Sequence, residues 1–303
     1  MSEIVTYDDI FAQNIKDILE KGTEYESRAV WEDLPDKPKA HCIKLFGLVN
    51  RYNTKNENMP PIGRIRKFAI KNCIDEILWI WQKKSNDVKD LRSHIWDSWV
   101  DDNDRIGAAY GFQVRSKLRR ASHTTIEQDG SKTVHSAILD QTDFVIHELK
   151  YNPMSRRILT DLYSIDQTAI MGLDPCCYSC TWNVTNNNGK LYLNLLLNQR
   201  SQDMVVANNW NVFQYWILQN MFANVTGLNV GELVHVIADA HIYDRHVPIA
   251  KHMIEDLYPK TEYLPIASMM FNHHDNFYDY TIDDFALVNY DFIEDIKKIP
   301  VAV

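Results

Sequence analysis

Cys176 follows a proline and opens the run Cys176-Cys177-Tyr178-Ser179-Cys180-Thr181-Trp182. Gln199-Arg200-Ser201-Gln202-Asp203 comes after a second run of strand character. A thiol attacks only as its thiolate, and a neighbouring guanidinium favours the charged form by lowering the pKa. Residues 178–184 and 191–199 read as strands, and Thr185-Asn186-Asn187-Asn188-Gly189 between them carries an Asn-Gly hairpin signal. Pairing these strands would set Arg200 beside Cys176.

The other cysteines fit metal or redox chemistry poorly. Vicinal Cys176 and Cys177 make a strained disulfide at best, and positions 176 and 180 of a strand lie ~13 Å apart, too far to bridge. No second cysteine cluster supplies zinc-ligand spacing, and His241 and His246 are not spaced as a helix-face pair, so no metal is expected. His241 and Tyr243, two apart after a strand, can point to one side as hydrogen-bonding groups. Arg115, Lys117, Arg119 and Arg120 read as a basic patch or, better, as a solvated loop.

The elements that must position these groups alternate between helix and strand. Residues 6–21 read as a helix with Thr6 as cap and Gly22 as stop. Residues 23–40, with Pro35 and Pro38, read as loop; 41–53 as strand; 68–82 as helix, with Glu76 in its middle. Residues 94–115 are turn-rich and aromatic, with Trp96, Trp99 and Tyr110, the composition of a pocket wall as readily as of a core edge. Residues 115–136 read as a polar, charged stretch and 141–150 as a short helix. A strand-like run follows Arg156-Arg157. Residues 211–226 form an apolar helix closed by Gly227, 233–237 a strand, a helix starts near Val247, and 262–269 read as strand. No repeat or linker divides the chain, so one α+β domain over 1–303 is expected.

Composition narrows the function. A chain of 303 residues that is 45% hydrophobic can bury a large core. A net charge of −9 disfavours a nonspecific nucleic-acid coat but leaves room for a phosphorylated small molecule held by local arginines. Five cysteines without framework spacing suit a reducing compartment, and no basic-then-apolar leader or membrane-length apolar run is present, so a cytoplasmic location is expected.

From about residue 40 onward the sequence resembles the thymidylate synthase family in eight ordered motifs. They are Glu76-Ile77-Leu78-Trp79, Ile95-Trp96-Asp97-Ser98-Trp99, Gly107-Ala108-Ala109-Tyr110-Gly111, Asn152-Pro153-Met154-Ser155-Arg156-Arg157, Pro175-Cys176, Gln199-Arg200-Ser201-Gln202-Asp203 with Asn211, Asp239-Ala240-His241-Ile242-Tyr243, and Pro300-Val301-Ala302-Val303. The resemblance implies a twisted, mostly antiparallel or mixed sheet packed with helices, one sheet face forming a homodimer interface. It implies reductive methylation of dUMP to dTMP with 5,10-methylenetetrahydrofolate as cosubstrate and no metal. Cys176 would be the nucleophile, with Glu76, Arg200, Asp203 and Tyr110 in the catalytic set. Arg200, Ser201 and the partner subunit's Arg156 and Arg157 would hold phosphate. Asn211 would read uracil through an amide that both donates and accepts, and His241 and Tyr243 would hold the deoxyribose. Trp96, Trp99, Asp203, Ala207 and Val303 would meet folate.

Some residues depart from the family pattern. The phosphate arginine before the first strand is missing from its usual place, and Lys37 and Lys39 are the nearest candidates. Ala207-Asn208-Asn209-Trp210-Asn211 replaces G-x-P-F-N, Ala238 replaces a glycine, and Cys177 stands where many members have histidine. Extra amides near the pyrimidine could order a water, so a hydroxymethylase, which quenches the exocyclic methylene with water and would make 5-hydroxymethyl-dUMP, is the alternative. Trp96 favours the synthase, since an indole shields the methylene. A third reading, an inactive nucleotide- or RNA-binding homologue, is opposed by the joint presence of Cys176, Glu76, Arg200 and Asn211.

Overall fold

The computed structural model describes residues 5–52 and 59–303. In chain order its helices are α1 (Tyr7–Lys21), α2 (Ile70–Trp81), α3 (Gly111–Ser116), α4 (Gln141–Tyr151), α5 (Asn208–Thr226) and α6 (Val247–His252). The strands are β1 (Thr23–Val30), β2 (Lys39–Tyr52), β3 (Arg119–Ile126), β4 (Lys132–Leu139), β5 (Leu159–Asp161), β6 (Cys177–Asn187), β7 (Lys190–Gln199), β8 (Gln202–Asp203), β9 (Asn229–Tyr243), β10 (Ser268–Phe271) and β11 (Phe285–Val288). Thr6 caps α1 through a reciprocal box with Asp9, as the sequence suggests.

A seven-stranded sheet runs β1-β2-β9-β7-β6-β5, with β8 added beside β9. Its pairings are antiparallel except β7 and β8 against β9, which are parallel. Directly paired residues share a face. One face carries Cys180, Trp182, Leu195, Leu197, Leu233 and Ile237, all buried. Trp182 meets Phe222 of α5 with ring centroids 4.9 Å apart. Helix α5 is buried almost all round, as a central helix must be, and Gln219 on it donates to the Leu193 carbonyl at 2.7 Å. The opposite face carries Val49, Leu196, Val234 and Val236, exposed or half-exposed.

Four sequence expectations need correction. Residues 23–30, read as loop, form the edge strand β1; its faces are largely exposed, so hydrophobic alternation gives no signal. The charged stretch 115–136 contains the hairpin β3–β4. Several of its cations are engaged rather than free: Lys117 pairs with Asp161 at 2.8 Å, and the Arg119 guanidinium lies 3.8 Å over the Phe144 ring. Residues 258–263 are a 3₁₀ helix, and the strand expected over 262–269 is β10, which pairs with β11. The short run 233–237 is part of β9, which extends through Asp239-x-His241-x-Tyr243. Residue 53, expected to end β2, lies outside the described residues.

Tyr110 reaches the site from a tight corner. Its φ is 45°, and a Cβ on Gly111 beside it would come 2.1 Å from the Ser85 carbonyl oxygen. Backbone on both sides leaves little room to relax. Gly111→Ala is expected to cost about 2–3 kcal/mol by overpacking, read as a lower urea midpoint. An unchanged midpoint would mean that the Ser85 loop yields freely.

Candidate active site

A cavity of about 1000 Å³ opens where β6, β7, β8 and β9 end against the start of α5, the aromatic loop and the last residues of the chain. Of the residues singled out from the sequence, Cys176, Glu76, Arg200, Asp203, Tyr110, Ser201, Asn211, His241, Tyr243, Trp96, Trp99, Ala207 and Val303 all line it. Arg156 and Arg157 do not. They are exposed on the surface of the same chain, and their guanidinium groups have no hydrogen-bond partner among the described residues.

Strand pairing brings thiol and guanidinium together. Cys177 pairs with Gln199, and the Arg200 N–H donates to the Cys176 carbonyl at 2.9 Å. The Arg200 side chain donates to the Asp174 carbonyl at 2.5 Å and the Pro175 carbonyl at 3.1 Å, and Nη2 lies 3.7 Å from Cys176 Sγ. The Cys176 N–H donates to the Tyr110 hydroxyl at 3.1 Å. Burial pushes the thiol pKa up, Arg200 pulls it down and Asp174 pushes it up; the balance lies above the ordinary value. The expected lowering is thus reversed, because desolvation outweighs one guanidinium that is also held by two carbonyls.

Glu76 is not the solvated helix glutamate that spacing alone would suggest. It is buried, and burial raises its pKa. Three donors oppose that rise: Trp96 Nε1 at 2.6 Å on Oε1, with Trp210 Nε1 and Gln214 Nε2 both on Oε2. Trp210 and Gln214 are four apart on α5 and so share a face. That spacing was the available signal for Gln214, which sequence reasoning missed.

Residue-by-residue and whole-molecule comparisons point the same way. The family described as Thymidylate synthase matches residues 9–303. The chain is 39% identical over 291 residues to Thymidylate synthase 1 of Bacillus subtilis strain 168, covering 94% of this chain and 95% of that one. It is 38% identical over the same length to the thymidylate synthase of Bacillus phage phi3T, with the same coverage of both chains. The solved structure of thermostable thymidylate synthase A from Bacillus subtilis superposes with a TM-score of 0.82 at 37% identity, covering 99% of this chain and 100% of the other. The chain belongs to the thymidylate synthase family. Its members are one-carbon methyltransferases.

Against that family pattern, two differences find physical explanations. Asn208 accepts from the Tyr7 hydroxyl at 2.7 Å, while Asn209 accepts from the Gly63 N–H and donates to the Pro61 carbonyl, both at 3.1 Å. These amides are engaged by α1 and the 61–63 loop, and neither lines the cavity. Lys37 and Lys39 pair with Glu32 and Glu26 in the open and stay outside it. Arg28 of β1 lines the cavity instead. Sequence reasoning misses it because residues 23–40 read as loop.

The Asn211 amide has a defined orientation. The Ser201 carbonyl can only accept, so the Gln199 nitrogen faces it at 2.9 Å and also donates to Asn211 Oδ1 at 3.1 Å. Gln199 Oε1 takes the Cys177 thiol at 3.2 Å and faces His235 Nε2 at 2.7 Å. Burial holds His235 neutral, its pKa lowered to about 3. Gln202 adds a second donor to Asn211 Oδ1 at 3.3 Å. The Asn211 oxygen is therefore taken up by protein. Its nitrogen has no partner among the described residues, so the amide offers a donor, where the sequence suggested both donor and acceptor. His241 Nδ1 faces Asp239 at 2.9 Å, and Asp239 also pairs with Lys44 at 3.2 Å. This leaves the far nitrogen of His241 for a ligand.

Two outcomes are expected. Alkylation of Cys176 by iodoacetamide should accelerate with pH, with its midpoint above the ordinary thiol value near 9. Arg200→Gln should move that midpoint higher and slow alkylation at pH 8 by roughly tenfold per pKa unit gained. A midpoint below 8 in the native chain would contradict the dominance of burial. Trp210→Phe removes a donor from a carboxylate whose pKa burial already raises. The acid limb of the pH–activity profile should therefore move up by about one unit, and an unmoved limb would separate Trp210 from Glu76.

Proposed function

We propose that this chain converts dUMP to dTMP, with 5,10-methylenetetrahydrofolate supplying first the one-carbon unit and then the hydride. The observation that carries the reading is the convergence on one cavity of the Cys176 thiol, the Arg200 guanidinium, the donor side of Asn211 and the buried Glu76 carboxylate. The Cys176 thiolate adds to C6 of the pyrimidine, and the electron pair moves to C5 and O4, where the Asn211 amide stabilises the growing charge. C5 then bonds to the one-carbon unit. Glu76, whose three donors favour the anion that burial disfavours, takes part in moving the C5 proton. Loss of tetrahydrofolate leaves an exocyclic methylene. Hydride transfer to it and expulsion of the Cys176 thiolate from C6 release dTMP and dihydrofolate.

Arg28, Arg200 and Ser201 supply phosphate donors, and His241 and Tyr243 the sugar contacts. Trp96, Trp99, Asp203, Ala207 and Val303 form the folate side, where an apolar wall beside one carboxylate suits a flat ring that carries both donors and acceptors. Arg156 and Arg157 of the partner subunit complete the phosphate site in a homodimer. Their exposure away from this chain's own cavity supports that, as does the apolar sheet face of Val49, Leu196, Val234 and Val236. Residues 1–303 act as one domain. All five cysteines are unpaired, which supports a reducing, cytoplasmic setting, and no helix among the described residues is long and apolar enough to cross a membrane.

Hydride is favoured over water as the quench. The Trp96 indole is anchored on Glu76 and packed against Trp79, Trp99 and Tyr110, and Asn208 and Asn209 are turned away from the cavity. The test is mass spectrometry of the product from dUMP and 5,10-methylenetetrahydrofolate, with folate oxidation followed by absorbance. The expected result is dTMP and dihydrofolate in equal amounts, and neither from Cys176→Ser. A product one oxygen heavier than dTMP with unoxidised tetrahydrofolate would make the chain a hydroxymethylase. Turnover of dCMP alone would overturn the role of Asn211.

A further inference from the structure

His246 sits in the turn between β9 and α6 and is completely buried, yet its ring faces two groups from distant parts of the chain. Nε2 lies 2.7 Å from the Pro300 carbonyl oxygen, and Nδ1 lies 3.5 Å from Asp203 Oδ2. The rings of Trp31 and Tyr243 stand edge-on to the imidazole, each with its centroid 5.7 Å away, and fix its plane. A carbonyl oxygen only accepts, so Nε2 carries a proton. Asp203 is ionised: burial raises its pKa, but His246, His241 and the Val206 N–H together bring it below the ordinary value. The neutral ring would therefore turn the Nδ1 lone pair toward an anion, and only the imidazolium satisfies both neighbours. Three residues beyond Pro300, Val303 and Val30 exchange two backbone hydrogen bonds, at 2.8 and 3.0 Å.

We propose that His246 is a positioning residue that ties the docked tail, through the Pro300 carbonyl, to the cavity carboxylate of Asp203. The tail and Asp203 are then held as one unit rather than as two independent walls. The folate role of Asp203 rests on the function proposed above, whereas the hold on the tail does not. The charged and titratable groups around the ring are Asp203 from β8, Asp244 in its own turn, which accepts from Trp31 Nε1 at 3.1 Å, and His241, which also faces Asp203. Arg245 points away and forks onto Asp33. Burial pulls the His246 pKa down, but Asp203, the Pro300 carbonyl and Asp244 more than reverse this and raise it. A raised histidine pKa means the link is complete below the ordinary value near 6.5, and its Asp203 half is lost as pH rises through the folded-state value.

Two amide substitutions separate the halves of the link. His246→Gln places a donor near the Nε2 position and keeps the bond to Pro300, whereas His246→Asn places one near Nδ1 and loses it. The readout is release of Val303 by a C-terminal exopeptidase from the full chain without substrates, normalised to a free peptide of the same ending, with thermal melts to confirm folding. His246→Asn is expected to speed release about tenfold, the factor given by one ordinary hydrogen bond, while His246→Gln stays within about threefold of the native chain. Native release should also quicken, within the same threefold, as pH rises past neutrality and the Asp203 half of the link is lost, and His246→Gln, which lacks that half, should flatten that dependence. In turnover, His246→Gln should raise the KM for folate with little change in kcat, and His246→Asn should lower kcat. Equal release from both variants and the native chain, or native release independent of pH, would overturn the proposal. The pH series on the native chain decides even if a variant fails to fold. A chain that protects its tail as expected but makes no dTMP would leave His246's hold standing and remove only the folate role.

Discussion

The register of β6 on β7 is the constraint on which the site depends. Asn188 and Gly189 both take positive φ at the hairpin tip, as a tight two-residue turn requires, and from there β6 and β7 pair one to one back to Ser179 and Asn198, with Tyr178 bulged out before Cys177 meets Gln199. Ten residues back along β6 and nine along β7, that register delivers Cys177 opposite Gln199 and Cys176 beside Arg200. A slip of one residue would exchange faces along the whole pair. Leu195 and Leu197 would leave the core, and the guanidinium would leave the thiol. Burial of the inner face thus enforces the alignment of the reactive groups, so fold stability and site geometry rest on the same contacts.

Burial also sets the electrical state of the site. The cavity raises the pKa of both Cys176 and Glu76, and it surrounds each with groups that pull the other way, one guanidinium for the first and three neutral donors for the second. Neither charge is fully compensated. Such a site holds its charged forms at a cost, and groups that strengthen their hold as charge develops can recover that cost in the transition state. The Asn211 amide is held in one orientation: its oxygen is tied by two glutamines, and its nitrogen has no partner among the described residues.

Much of this was legible in the sequence where a residue type has one physical use. The Asn-Gly turn, the Thr6 cap and the stop at Gly227 fall where the sequence puts them, and Cys176, Arg200 and His241, far apart in sequence, line one cavity. What escaped was structure without hydrophobic contrast. β1 and the β3–β4 hairpin are exposed along most of their length, so their alternation leaves little trace in polarity, and Arg28 went unrecognised with β1. Orientation escaped too. The sequence names Asn211 and Cys176, but which end of an amide faces the cavity, and whether desolvation or a guanidinium wins, depend on neighbours such as His235 and Asp174 that only three-dimensional packing assembles.

The hydrogen bonds between Val303 and Val30 have a consequence of another kind. β1 is an outer strand of the sheet, and outer strands offer unpaired backbone groups to any passing chain. By docking beside Val30, the last residue occupies part of that rim and acts as a short extra strand. Clipping the tail would therefore uncover a sticky edge as well as open the cavity, and a truncated chain would differ from the native one in its tendency to self-associate, not in chemistry alone.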